Sequence, residues 1–390
     1  MTVSVIRWLR WIWSDCLNDT GKHQNSSEKN MDRQECVERL KAAVSPLMEW
    51  FEKEHRILPW RSDPTAYHVW LSEIMLQQTR VEAVKPYYHR FLADLPTIGA
   101  LAEASEERLL KLWEGLGYYN RVRNLQKAAK QVVEQYDGEL PADYEKVLAL
   151  PGIGSYTAGA ICSIAFQIPV PAVDGNVLRV LSRLLNMDWD IANASVKTTL
   201  ETWLLEVIPS ENPGNFNQAL MELGAVVCTP NGIAKCGICP LADSCLANQM
   251  DTVMELPVKK QKKARRVEEK TVLLLYYGNR IAVRKRPPRG LLAGLYEFPS
   301  LDGYKTGEEM LQYLKEDGYT VIRYQELPQA KHIFSHVEWH MRGFAVRLDE
   351  THNQPDQSSV IFAEADQVEH RYAIPTAYAA YLSYFLEMNR

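Results

Sequence analysis

The chain carries no surplus of positive charge: 44 Lys and Arg stand against 49 Asp and Glu, a net charge of −5. Any contact with a polyanion must therefore rest on local basic patches and not on the field of the whole molecule. Cysteine is scarce, seven in 390 residues, and four of the seven lie between 228 and 245. That distribution excludes a disulfide-dense scaffold and points to metal ligation in a reducing cytoplasm. Long apolar runs are missing as well. Val3 to Trp13 is interrupted by Arg7 and Arg10, too short and too broken to span a bilayer, and no small-residue cleavage site marks it as a secretory signal. With 46% hydrophobic and 24% charged residues the composition is that of a globular protein, and 390 residues exceed one ordinary core, so two or three domains are expected.

Residues 14–30 are polar, and residues 1–30 are expected to lie outside the fold. From Met31 an amphipathic helical pattern begins, with Val37, Leu40, Ala43, Val44, Leu47, Trp50 and Phe51 on one face.

The densest signal follows Leu150. Pro151 and Gly152 stop a helix, Gly152 and Gly154 allow a tight turn with outward backbone N–H groups, and a helix restarts at Ser155 with Tyr156 in its first turn. Such a hairpin seats an anion, a DNA phosphate for example. The bland alternative is an ordinary helical corner, with Asp174, some twenty residues on, serving as a cap.

Three other segments carry chemistry. In Leu58-Pro-Trp60-Arg61 and Tyr67 to Glu82, Glu73 is the only ionisable residue among Val69 to Leu76. A carboxyl group so placed loses hydration and becomes a proton donor near neutral pH, unless it merely pairs with an arginine. Thr79 and Glu82 form a capping-box pattern for the next helix, which leaves Gln77 and Gln78 in the turn, able to enter a duplex. Gly115 to Leu125 joins two glycines, Tyr118 and Tyr119, and Arg121 and Arg123, suited to stacking and phosphate contact, although Tyr119 fits a core equally well. Cys228, Cys236, Cys239 and Cys245 supply four thiolates within eighteen residues, and a single Cys-x2-Cys pair favours a [4Fe–4S] cluster over a zinc ribbon. Cys162 reads as core.

Taken in order, these segments resemble the helix-hairpin-helix DNA glycosylases that include endonuclease III, from about Leu58 to Tyr372. One departure is that seven residues separate Cys228 from Cys236 where that family usually has six; an extra loop residue costs little. Where the strand-cleaving branch has a nucleophilic lysine, this chain has Tyr156, and a phenol forms no Schiff base. The chain is thus similar to the monofunctional adenine glycosylases of the MutY type. The resemblance implies a substrate of adenine opposite 8-oxoguanine or guanine in duplex DNA. It implies Glu73 as general acid, Asp174 as stabiliser of the sugar cation, Tyr156 beside the sugar, and Gln78 and Tyr118 at the gap left by the flipped base. Gln218 and Arg61 become candidates for the adenine edge, and Trp60, next to Leu58, for the pocket wall. It further implies a [4Fe–4S] cofactor and a cytoplasmic, bacterial-type, nucleoid-associated monomer with repair or replication partner proteins. An endonuclease III-like glycosylase and lyase acting on oxidised pyrimidines, and a DNA-damage sensor without catalysis, are the alternatives.

Beyond residue 255 the pattern changes. Lys259 to Arg266 holds six cations in eight residues, a basic linker over 256–270. Thr271–Tyr277 and Ile281–Lys285 flank a Gly278-Asn279 turn, Val337–Leu348 alternates, and helices are expected at Gly307–Lys315 and Thr376–Met388. The fold class is therefore multidomain: an all-α glycosylase domain, residues 31–255, and an α+β domain, residues 271–390. Gly290 to Pro299 is similar to Nudix domains, but ahead of Gly318 only Glu316 remains of the expected metal-binding glutamates, so this domain is expected to bind without catalysing. Within it, Phe334-Ser335-His336 resembles the lesion-reading loop of the adenine glycosylases.

Overall fold

A computed structural model describes residues 32–230, 232–259, 264–349 and 360–388. The expectation for residues 1–30 lies outside them, as do residues 260–263 of the basic linker.

The first helix, α1 (Arg33–Glu54), starts at Asp32, whose side chain accepts from the Glu35 backbone while Glu35 reaches back, a complete capping box. Its buried residues Cys36, Val37, Leu40, Ala43, Leu47 and Phe51 do not pack against the helices that follow in sequence. They join Val173 to Leu241 in one apolar cluster, while Leu58 to Ala172 form another. The helical domain is thus two lobes, and α1 crosses back to complete the second. The helices that matter to the site are α2 (Ala66–Leu76), α3 (Val81–Asp94), α4 (Asn120–Gln135), α5 (Ser155–Phe166), α6 (Gly175–Leu184), α7 (Ala194–Leu205) and α8 (Pro213–Val226). Helices α5 and α8 come within backbone contact: a Cβ on Gly214 would lie 2.7 Å from the Ser163 carbonyl oxygen, so only glycine fits there. Cys162 is fully buried, in the core as expected.

One capping expectation fails. Helix α3 begins at Val81 with Arg80 as its N-cap and no side-chain cap, so Thr79 and Glu82 form no box. The turn instead belongs to the glutamine loop: Gln77 ends α2 and Gln78 has φ +59°.

The second domain is a mixed sheet ordered β3 (Tyr296–Glu297), β2 (Arg280–Lys285), β1 (Arg266–Tyr277), β6 (Val337–Leu348), β5 (Val321–Ile333), with β4 (Ser300–Asp302) paired to β1 and β7 (Val360–Glu364) to β2. Strands β1 and β6 run parallel from Arg266 opposite Val337; the other pairs are antiparallel. This pairing draws residues 266–270 into the sheet, so the linker ends earlier than its charge suggests. At its other end Leu256 is buried and the Val258 carbonyl accepts from the Ile191 N–H, which ties residues 256–258 to the helical domain. Alternate residues of β1 serve the two faces, Val272 and Leu274 toward α10 (Ala379–Met388), Leu273 and Leu275 toward α9 (Gly307–Glu316). The expected helix at 376 opens as a 3₁₀ turn over Thr376–Tyr378.

Candidate active site

Glu73 sits on α2, where Tyr67 and every residue from Val69 to Met75 are buried. It is 6% exposed. Burial pushes its carboxyl up to about 7, the neighbouring Asp174 adds to the rise, and the Tyr156 hydrogen bond and Arg61 charge act against it. The Tyr156 hydroxyl, from the first turn of α5, donates to Glu73 Oε2 and stands 3.7 Å from Met221 Sδ of α8. Burial, then the charges of Glu73 and Asp174, hold that phenol well above its ordinary range.

Asp174 comes from the other lobe. It is the N-cap of α6, accepting from the backbone of Asn176 at 2.9 Å and Val177 at 2.8 Å, and from Asn176 Nδ2 at 2.7 Å. Burial raises its pKa, and these donors and Arg179 oppose the rise. The capping and the functional readings of this residue are therefore not alternatives: the cap supplies donors that favour the anion. Arg179 holds Asn176 Oδ1 and the Cys228 carbonyl, both at 2.8 Å, so one hydrogen-bonded chain runs from Asp174 to the cysteine loop.

Arg61 is engaged. It donates to Gln218 Oε1 at 3.0 Å and to Glu222 Oε2 at 2.9 Å, beside Arg56 on the same carboxylate. Glu222 is 1% exposed, and the two arginines hold its carboxyl down at about 2 despite its burial. Leu58 and Trp60 belong to the core, Trp60 packing edge-on against Tyr88 at 5.5 Å. Sequence reasoning missed Glu222, Arg56 and the buried Asn217, which binds the Ala172 N–H and Ser163 Oγ. The signal for Glu222 was present: it is the only charge within the α8 segment, the pattern that singled out Glu73.

The two arginines of the glycine-rich loop are not free for phosphate. Arg121 donates to five carbonyls, those of Ile74, Met75, Gln77, Leu116 and Gly117, and laces this loop to the glutamine turn. Arg123 pairs with Glu106 and donates to the Ala293 carbonyl of the second domain. Between them the loop presents Tyr118, 48% exposed at φ +48°, while Tyr119 is buried. At the hairpin, Gly152 has φ +78° and a Cβ there would meet Asn124 Cβ at 2.6 Å. The Ser155 hydroxyl is turned to Glu201 and Lys197, both at 2.9 Å, so the hairpin offers backbone and not this side chain.

Cys228, Cys236, Cys239 and Cys245 line one cavity together with Arg183, whose Nη1 lies 3.2 Å from Cys228 Sγ. Burial first, then the adjacent thiols, push Cys239 up to about 12, so four thiolates here need a cationic group to offset them. Among the described residues no three His, Cys, Asp or Glu side chains converge on one point suited to a single ion. The four sulfur donors share this one cavity, a soft donor set.

In the second domain Phe334 anchors its loop, its ring 4.9 Å from Trp339, and leaves Ser335 and His336 exposed. The Ser335 hydroxyl lies 3.1 Å from that of Tyr118 across the domain boundary. Glu316 accepts from Gln312 of its own helix.

Residues 71–205 match the family of HhH-GPD superfamily base excision DNA repair proteins, and residues 271–384 match the NUDIX domain. The adenine DNA glycosylase of Mus musculus is 35% identical over 399 residues, covering 83% of this chain and 77% of the mouse protein. That of Buchnera aphidicola subsp. Schizaphis graminum is 33% identical, covering 77% and 86%. The chain belongs to the adenine DNA glycosylase family. A solved thermostable thymine-DNA glycosylase is 25% identical to the enzyme, with a TM-score of 0.49 over 55% of this chain and 98% of that one.

Proposed function

We propose that this adenine DNA glycosylase removes adenine mispaired with 8-oxoguanine, without cutting the strand. Adenine leaves the stack and enters the cleft between the lobes, with Gln78 and Tyr118 at the gap and Gln77 behind them. Glu73 gives its proton to N7, the C1′–N9 bond breaks with its electron pair going to the neutral base, and the sugar is left as an oxocarbenium-like cation. Asp174 stabilises that cation as an anion, and Tyr156 holds Glu73 in place beside the sugar. Water then adds to C1′ and gives its proton to the Glu73 carboxylate, which restores the acid. Two carboxyl groups of opposite protonation act on a glycosidic bond, as in glycoside hydrolases. Tyr156 offers no amine, so no covalent imine forms and the product is an intact abasic strand.

Gln218 faces the base edge, with Arg61 behind it engaged on Gln218, Glu222 and the Arg56 carbonyl rather than on the base, and the hairpin at Gly152 and Gly154 seats a backbone phosphate. Cys228, Cys236, Cys239 and Cys245 would hold a [4Fe–4S] cluster, which stiffens the loop carrying it. Ser335 and His336 read the 8-oxoguanine left opposite the gap.

The observation that carries the reading is the Tyr156 to Glu73 contact: a buried carboxyl held near neutral pKa, with the capped Asp174 close enough to raise it further. Incubation with duplex DNA bearing adenine opposite 8-oxoguanine tests it. Strand breaks should appear only after alkali, and breaks before alkali would favour the lyase reading.

A further inference from the structure

Glu222 takes no part in the chemistry above, yet it is among the most deeply buried charges of the helical domain, 1% exposed. Arg56 meets it through Nε at 2.6 Å, Nη2 at 2.9 Å and its backbone N–H at 3.1 Å. Arg61 meets it through Nη2 at 2.9 Å, fixes its own Nη1 on the Arg56 carbonyl at 3.0 Å, and spends Nε on Gln218 Oε1 at 3.0 Å. Gln218 and Glu222 are one helical turn apart on α8, so a single guanidinium bridges both. A guanidinium donates and never accepts, so the Gln218 atom facing it must be the carbonyl oxygen. The amide N–H₂ then points away from Arg61.

Resting on the reading that Gln218 faces the extruded base, we infer that Glu222 is a positioning residue that locks the hydrogen-bond polarity of Gln218. An unrestrained glutamine can turn its amide over and satisfy a donor or an acceptor equally. Anchored through Arg61 to a carboxylate, it presents a donor only. The pocket therefore selects adenine through a ring nitrogen that accepts, and is indifferent to the exocyclic amine at this contact.

Single-turnover excision measures this, using adenine, 1-deazaadenine, 3-deazaadenine and unsubstituted purine opposite 8-oxoguanine. The native enzyme should process one deaza analogue roughly tenfold to a hundredfold more slowly than adenine, beyond the ratio shown by Gln218→Leu, because a site built to bond a group rejects the analogue lacking it. Purine, which keeps the ring nitrogens, should show no such extra penalty. Glu222→Gln should collapse the adenine to deaza ratio toward that of Gln218→Leu, Glu222→Asp should retain most of it, and Arg61→Lys, which keeps the charge but cannot bridge, should lose it. The Arg61→Lys arm covers the case in which Glu222→Gln does not fold. Equal slowing of adenine and every analogue in Glu222→Gln, with the Gln218→Leu ratio already flattened, would leave Glu222 purely structural and overturn the inference alone. A ratio that survives Gln218→Leu would remove the base-edge reading itself, and the inference with it.

Discussion

Two glutamates, one in each domain, are buried to nearly the same depth and treated in opposite ways. Glu297, 2% exposed in β3 of the sheet, receives Arg284 at 2.8 Å, Arg286, and the Tyr378 hydroxyl at 2.8 Å. Glu73, 6% exposed in α2, receives a phenol, and Arg61 acts on it only through its field. Burial depth alone therefore says nothing about function. A buried carboxylate given two guanidinium groups serves as their anchor, and one denied them is left to act as an acid. The second domain, which matches the NUDIX domain, spends its buried Glu297 on two arginines and a tyrosine of its own, and the proposed function places the chemistry in the helical domain.

The contrast breaks first at Glu73. Glu73→Gln keeps shape and removes the transferable proton, so excision should fall by roughly 10²–10⁴ while duplex binding and thermal stability hold. Single-turnover excision beside a binding isotherm checks it, and excision within a few-fold of the native rate would make Glu73 a structural residue like Glu297. The reciprocal change, Glu297→Leu, strands two arginines and should cost about 3–5 kcal/mol of stability in the second domain. Denaturant unfolding measures that loss, and near-native stability would mean the anchor is dispensable.

pH sharpens the same comparison within the helical domain. The folded-state pKa of Glu73 is raised from 4.5 to about 7, so its contribution to stability is present below pH 4.5 and is lost as pH rises through about 7. Glu222 is lowered from 4.5 to about 2, so its contribution is present above pH 4.5 and is lost as pH falls toward 2. Each is on the order of 3 kcal/mol. Excision should decline above about pH 7 as Glu73 loses its proton. Glu73→Gln should flatten the loss of stability between pH 4.5 and 7 and leave the acid limb unchanged; melting curves across this range decide it.

How legible this was from the sequence depends on what each signal needed. Glu73, the hairpin and the cysteine loop announce themselves because a lone charge in an apolar helix, paired glycines and clustered thiols are rare locally. Arg121 misled, since a loop rich in aromatics and arginine reads as a phosphate grip, and only the fold shows its guanidinium spent on five carbonyls. β5 (Val321–Ile333) gave no alternation because it is an exposed edge strand, with Pro328 placed at a register shift. Ser155 and Arg61 were located, but their partners Glu201 and Glu222 lie 46 and 161 residues away, a pairing no local pattern encodes.

The smallest effect is expected at the loop of the sheet domain proposed to read the lesion. Phe334 is packed on Trp339 and holds the loop, whereas Ser335 and His336 stand exposed between β5 and β6. Oxidation of guanine turns N7 from an acceptor into a donor, and a short hydroxyl such as Ser335 can accept from the new N–H. Replacing Ser335 and His336 together by Ala should therefore cost about 1–3 kcal/mol in preference for 8-oxoguanine over guanine opposite adenine, the scale of a lost base contact. The excision step itself, measured at saturating enzyme on the adenine–guanine mispair, should barely change, because Glu73, Tyr156 and Asp174 are untouched. Phe334→Ala, by contrast, removes the anchor and should weaken both substrates. Equal losses on both substrates in the Ser335 and His336 variant would make the loop a general DNA contact and return lesion reading to the helical domain, where Tyr118 meets Ser335 at 3.1 Å.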